Sequence, residues 1–259
     1  MINPILNYVE YGDPNHPAII ILHGFLGSSK NWTTISKIIS SSIRVIAVDL
    51  RNHGDSFHHD KPHYEDMTED VLNLINTLKL EKVNLMGHSM GGKVAMKFAC
   101  LYPEKINSLI VIDIAPKQYF PHRKEVASML AIDLSKLSSK QDAENQLEKD
   151  VPDLGLRKFL LTNLVQESET KFRWKVNLPV FVKEVSNLGI NPLTDKDQFI
   201  GNTLFILGGK SDFVKEADYP LLYKYFPNAR VKVIENSDHN PHFSAREKFL
   251  EIIIEEIKP

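Results

Sequence analysis

Gly87-His88-Ser89-Met90-Gly91 sets one serine midway between two glycines. A serine hydroxyl is a weak nucleophile at neutral pH, so attack on a carbonyl needs a neighbouring imidazole to take its proton. It also needs a carboxylate to fix that imidazole in one tautomer, and preorganised N–H donors to hold the developing oxyanion. The pentapeptide follows an apolar run, Val83 to Met86, and leads into a helical pattern from Gly91 to Leu101. A sharp strand-to-helix turn of that kind lifts a hydroxyl clear of the backbone. Side chains at Gly87 and Gly91 would crowd the turn, and the helix N-terminus beside Ser89 favours negative charge. Ten histidines are available as base. The run His58-His59-Asp60 with His63 has metal-ligand residue types but reads as a solvated loop. No metal or organic cofactor is expected, because nucleophile and base are both side chains.

The elements that must position these groups alternate in type. Leu6 to Tyr11 alternates apolar and polar residues before the Gly12-Asp13-Pro14 turn, which predicts an edge strand or hairpin. Ala18 to Leu22, Val45 to Val48, Val83 to Met86 and Leu109 to Ile112 are short apolar runs, the signature of strands covered on both faces. Between them lie helical patterns at Trp32 to Ile39, Thr68 to Leu78 (with Thr68 as its cap) and Gly91 to Leu101. Such alternation predicts a mostly parallel sheet with helices on both sides. From Pro116 to about Asp197 only helices are expected, at Lys124 to Leu137, Asp142 to Lys149, Leu154 to Val165 and Leu178 to Val185. The sheet then resumes with Thr203 to Leu207 and Arg230 to Ile234, followed by a last helix, Ala245 to Ile257.

With these residues in place the chain resembles the α/β-hydrolase fold family, and the resemblance runs over essentially its whole length. His23-Gly24-Phe25-Leu26-Gly27 stands where that family places its oxyanion loop. Asp49-Leu50-Arg51-Asn52-His53-Gly54-Asp55-Ser56 resembles its D-x-R-x-x-G-x-S segment, and Asp238-His239 resembles its histidine loop. The strings G-H-S-M-G-G-K-V-A-M and I-D-I-A-P look closest to small bacterial serine esterases. The resemblance implies an eight-stranded, mostly parallel sheet, with an all-helical lid inserted after strand 6. The core is then 1–115 and 198–259, and the cap 116–197.

It also implies the roles. Ser89 is the nucleophile and His239 the base, preferred over His242 because it directly follows Asp238. The backbone N–H groups of Phe25 and Met90 form the oxyanion hole. The acid stays between two residues. Against the family's G-x-x-D-x-x-V frame, Gly208-Gly209-Lys210-Ser211-Asp212-Phe213-Val214 puts Ser211 on the acid position in one count and Asp212 in the other. Asp113 ends the strand beside the nucleophile's strand, where some family members carry the acid. Asp113 is favoured, with Ser211 as a hydrogen-bond donor beside it.

His23, Phe120, Arg123, Trp174 and Ser211 are candidate substrate contacts, although His23 and His88 also suit packing beneath the site. Lys117, His122, Arg123 and Lys124 put positive charge where the insertion begins, either as a solvated edge or to attract an anionic group on the substrate. A formal charge of −2 on 259 residues disfavours a nucleic-acid binder. One cysteine, Cys100, excludes an internal disulfide and suits a reducing compartment. With no apolar run of membrane-spanning length and no signal-peptide pattern, a cytoplasmic monomer or homodimer is expected. The expected activity is hydrolysis of a small to medium acyl ester or thioester through an acyl-enzyme. Carbon–carbon bond hydrolysis, cofactor-free haloperoxidase chemistry and non-catalytic ligand binding are the alternatives the same fold supports.

Overall fold

The computed structural model describes residues 4–120, 123–168 and 171–258. Tyr8–Tyr11 (β1) is followed by Ala18–Leu22 (β2), Thr33–Ile39 (α1), Arg44–Val48 (β3), Tyr64–Thr77 (α2), Val83–His88 (β4), Met90–Leu101 (α3) and Ile106–Ile112 (β5). An insertion then carries Arg123–Leu130 (α4), Lys140–Leu147 (α5), Leu154–Leu161 (α6), Leu164–Ser168 (β6), Lys171–Trp174 (β7) and Leu178–Leu188 (α7). Asn202–Gly208 (β8), Tyr219–Tyr225 (α8), Ala229–Ile234 (β9), Pro241–Ser244 (α9) and Arg246–Glu256 (α10) complete the chain.

Among the described residues the main sheet has seven strands in the order β1-β3-β2-β4-β5-β8-β9, and only β1 runs antiparallel to its neighbour. The apolar runs are covered on both faces, as their composition predicts. On one face Ile19, Ile21, Val45, Met86, Ile110 and Ile206 pack against Trp32, Ile35 and Phe249 from the α1 and α10 side. On the other, Ile20, Leu22, Ile46, Leu85 and Val111 pack against Val71, Leu74, Val94 and Phe98 of α2 and α3. Burying each of these side chains contributes about 1.5–3 kcal/mol before the entropy cost of ordering it. The chain runs outward from β2 to β3 and then returns to β4 on the other side of β2. The order therefore reverses between β2 and β4, and a ligand crevice is expected beyond their carboxyl ends. His23–Gly27 follows β2 at that edge, and Ser89 follows β4.

Several expectations need correction. The described sheet has seven strands rather than eight, so the insertion follows its fifth strand. The insertion is not all-helical: the expected helix from Leu154 to Val165 ends at Leu161, and Leu164–Ser168 pairs with Lys171–Trp174 as an antiparallel ribbon. The Asn163 side chain donates to the carbonyls of Leu26 (2.8 Å) and Leu160 (3.3 Å), which diverts the chain out of the helix. The expected helix from Lys124 to Leu137 stops at Leu130, and Asp133 then caps a short 3-10 turn by accepting from Ser135 N–H. Thr68 is not a cap. Helix α2 begins four residues earlier, with Glu65 and Asp66 in its first turn, and the Thr68 hydroxyl donates back to the Tyr64 carbonyl at 2.7 Å.

Candidate active site

Ser89 sits at φ +52° and ψ −117°, a backbone conformation that costs a non-glycine residue about 1–3 kcal/mol. The turn is held at both ends. Ser89 N–H donates to the Ile112 carbonyl of β5 at 3.1 Å, and its own carbonyl accepts from Lys93 N–H in α3 at 3.1 Å. A Cβ at Gly91 would lie 2.5 Å from the carbonyl oxygens of Leu22 and His23, so only glycine lets α3 start this close to β2. The Ser89 hydroxyl makes no hydrogen bond among the described residues, and Ser89 is half-buried where β4 ends.

Asp113 directly follows β5 with φ +48° and is fully buried. Its Oδ1 accepts the Gly208 N–H at 2.8 Å. Its Oδ2 accepts both the Ser211 hydroxyl and, at 2.8 Å, the His239 Nδ1–H. Two strand ends and the loop after β9 thus converge on one carboxylate. The His239 ring stacks on Phe213 with centroids 3.6 Å apart, and the His239 carbonyl accepts from His88 Nε2 at 2.8 Å. The stack limits how the imidazole can turn, and the carbonyl contact fixes the backbone of its loop. With Nδ1 donating to Asp113, Nε2 is left as the proton acceptor.

The other candidates for base and acid are engaged differently. His242 is buried and stacks on Trp32 with centroids 4.3 Å apart, and burial pulls its pKa down to about 3. It packs as a neutral ring. The Asp212 side chain is 94% exposed and pairs with Lys215 at 2.7 Å; that contact lowers its pKa. Asp238 shapes the histidine loop, its Oδ1 accepting from Asn240 N–H (2.7 Å) and the Ser244 hydroxyl (2.9 Å).

Buried neutral imidazoles support the loop after β2. His23 Nε2 accepts the Leu50 N–H at 3.0 Å while its Nδ1 donates to the Gly24 carbonyl at 2.7 Å. His53 Nε2 accepts the Leu26 N–H at 3.2 Å, and burial holds its pKa down at about 3. Leu26 itself adopts φ +59°. The Asp49 carboxylate ties this region to the next loop, accepting from Ser29 N–H (2.6 Å) and Asp55 N–H (2.9 Å). Arg51 grips Asp70 through two bonds of 2.5 and 2.8 Å. These contacts leave the Phe25 N–H without an acceptor among the described residues. The Met90 N–H, at the first position of α3, belongs to the group that no helical carbonyl can satisfy.

Ser89 lines two cavities. The larger, about 530 Å³, is walled by the His23–Gly27 loop, His239, Asn240 and His242 to Ser244, and Leu156, Phe159 and Leu160 of α6. The smaller, about 50 Å³, is lined by Phe25, Met90, Lys93, Tyr119 and Leu188 among others. Of the expected substrate contacts, His23 lines the larger cavity, but both its nitrogens are already bonded within the loop scaffold. Phe120 stands 95% exposed at the edge of the smaller one. Ser211 bonds Asp113 rather than facing either cavity. Trp174 lines neither of these two cavities: it belongs to the ribbon strand β7 and packs half-buried against the core. Arg123 opens α4, and its side chain and His122 lie outside the described residues. Lys117 is committed to Asp218 at 2.6 Å. No group of three metal-ligating side chains is present among the described residues.

Lys93 is the residue the sequence reading missed. It is buried, its ammonium donates to the carbonyls of Gly189 (3.0 Å) and Ile190 (2.5 Å), and burial pulls its pKa down to about 7. The available signal was its spacing, four residues after Ser89 on the same helix face.

The sequence model of the α/β-hydrolase fold matches residues 17–245. The chain is 34% identical over 251 residues to the sn-1-specific diacylglycerol lipase ABHD11 of mouse, covering 93% of this chain and 81% of that protein. It is 30% identical over 231 residues to esterase YbfF of Escherichia coli, covering 88% of each. The solved structure of a marine microorganism esterase superposes with a TM-score of 0.94 at 34% identity, over 98% of this chain and 99% of that one. The chain belongs to the α/β-hydrolase fold family. Within it, the chain falls in the branch that contains these small esterases. Among the described residues no helix is long and apolar enough to cross a membrane.

Proposed function

We propose that the chain is a serine carboxylic ester hydrolase that works through an acyl-enzyme on Ser89. The carrying observation is the 2.8 Å bond from His239 Nδ1 to the buried Asp113, with His239 and Ser89 lining one cavity. In this reading His239 Nε2 removes the Ser89 proton as Oγ attacks the ester carbonyl. The oxyanion forms against the N–H groups of Phe25 and Met90, where α3 contributes its positive end. His239 then gives the proton to the leaving alcohol oxygen, the carbon–oxygen bond breaks, and the acyl group stays on Ser89. Water, deprotonated by the same imidazole, attacks the acyl-enzyme; the bond to Ser89 Oγ breaks, Oγ takes the proton back from His239, and the acid is released. Asp113 stabilises the imidazolium in both halves, and Asp212 takes no part. The segment 116–197 acts as a cap, with α6 closing one side of the larger cavity.

Hydrolysis of p-nitrophenyl acetate tests this reading. Ser89→Ala and His239→Ala should each lower kcat on the order of 10⁴-fold or more, with the double variant losing little beyond either single one. Wild-type rates in Ser89→Ala would contradict it.

A further inference from the structure

The two cavities that meet at Ser89 differ about tenfold in volume, and the surrounding groups decide which half of an ester enters each. The assignment rests on the reading of Ser89 and His239 as nucleophile and base. In the tetrahedral intermediate the carbonyl carbon is bonded to Ser89 Oγ, and its oxyanion points at the Phe25 and Met90 N–H groups. The alcohol oxygen has to receive its proton from His239, so the alcohol must lie on the side that His239 lines. That side is the large cavity, where His239, Asn240 and Phe243 form one wall and Leu156 and Phe159 the other. The remaining substituent, the acyl chain, is directed away from His239. The small cavity is lined by Phe25 and Met90, whose N–H groups face the oxyanion, and by Phe213, which stacks on His239, but not by His239 itself.

We propose that the small cavity is the acyl site and the large cavity the alcohol site, so that the preferred substrates are short acyl esters, acetyl to butyryl, of bulky neutral alcohols. A volume of about 50 Å³ holds on the order of four water-sized groups, enough for a chain of two to four carbons. The wall of this cavity is pinned from three directions at the end of α7. Tyr64 of α2 donates its hydroxyl to the Leu188 carbonyl at 2.6 Å. Lys93 of α3 donates to Gly189 and Ile190, and the Tyr119 N–H donates to the Gly189 carbonyl at 2.7 Å. Three separate segments hold consecutive carbonyls, so a longer chain cannot enter by displacing the helix end alone. On the alcohol side Asp153 and Asp238 stand at the cavity beside apolar side chains, which opposes an anionic leaving group.

Two substrate ladders on the purified full chain test the partition. The first holds p-nitrophenol constant and lengthens the acyl chain from acetate through butyrate, hexanoate and octanoate to decanoate. The second holds acetate constant and lengthens the alcohol from ethanol to decanol. The expected result is a drop of at least tenfold in kcat/KM between butyryl and octanoyl esters, with kcat/KM level or rising along the alcohol ladder. A rise from butyryl to decanoyl, or a fall along the alcohol ladder, overturns the partition. Leu188→Ala opens the small cavity and should move the acyl cut-off about two carbons longer, whereas Leu160→Ala in the large cavity should leave it in place. If Leu188→Ala does not fold, the wild-type ladders decide alone. Reaction with a fluorophosphonate separates the two levels of failure. A chain labelled on Ser89 that prefers decanoyl esters refutes only the partition, while a chain with neither label nor hydrolysis refutes the underlying assignment as well.

Discussion

Asp113 accepts the Nδ1–H of His239 at 2.8 Å although 126 positions separate the two residues. The sheet order brings them together: β5 lies beside β8, β8 beside β9, and the histidine loop after β9 folds back over the carboxyl end of β5. The positive φ of Asp113 turns its carboxylate toward that loop instead of continuing the strand. Asp113→Asn should lower kcat on the order of 10⁴-fold, because an amide fails to fix the imidazole tautomer. Asp212→Asn should stay within about twofold of wild type. Steady-state hydrolysis of one activated ester by both variants checks the pair.

Ser211 donates to the same Asp113 oxygen that receives the His239 N–H. Ser211→Ala removes one of two donors to that atom and leaves Asp113 in place. The expected effect is a fall of about tenfold in kcat with KM unchanged, since Ser211 acts through Asp113 and not on the substrate. A changed KM with constant kcat would instead place Ser211 in substrate binding.

Four buried histidines make the fold acid-sensitive. Burial is the main cause of the lowered pKa in each case: to about 3 for His53 and His242, downward for His23, and well below the usual value for His88. For His53 and His242, between a folded pKa near 3 and an unfolded pKa near 6.5 the unfolded chain binds more protons, so their contribution to stability is complete above about pH 6.5 and lost as pH falls. Each such group contributes a slope of about 1.4 kcal/mol per pH unit. Denaturant unfolding between pH 7 and 5 should show that loss, and His242→Gln should flatten the curve by one group's share.

Lys93→Met should destabilise the chain by about 1–3 kcal/mol, because the buried bond to the Gly189 carbonyl and the part-buried bond to the Ile190 carbonyl both lose their charged donor. Gly189 retains the Tyr119 N–H and suffers less. Urea unfolding of the variant at pH 6 measures the loss, and stability equal to wild type would show that the ammonium bonds contribute nothing net.

The parts of the site that were legible in sequence are those fixed by local chain geometry. Ser89 stood out because two glycines and a strand-helix change surround it, and the buried strands because their apolar runs are unbroken. Asp113 and Asp212 could not be separated by counting, since the deciding fact is which carboxylate the β5–β8 pairing carries beneath the histidine loop. The ribbon at Leu164–Trp174 was hidden because Leu-Val-Gln-Glu-Ser continues the preceding helical pattern, and only the Asn163 contacts to Leu26 and Leu160 break it. Lys93 reads as a surface residue by type. Its burial depends on carbonyls almost a hundred positions away, at Gly189 and Ile190, which no local pattern reveals.

The central claim is that Ser89 is a nucleophile activated by His239. Intact-mass and peptide analysis after reaction of the folded protein with a fluorophosphonate tests it most directly. The expected result is one adduct per chain, located on the peptide containing Ser89, absent in Ser89→Ala and strongly slowed in His239→Ala. No adduct on the folded wild-type protein, or an adduct that persists in Ser89→Ala, would contradict it.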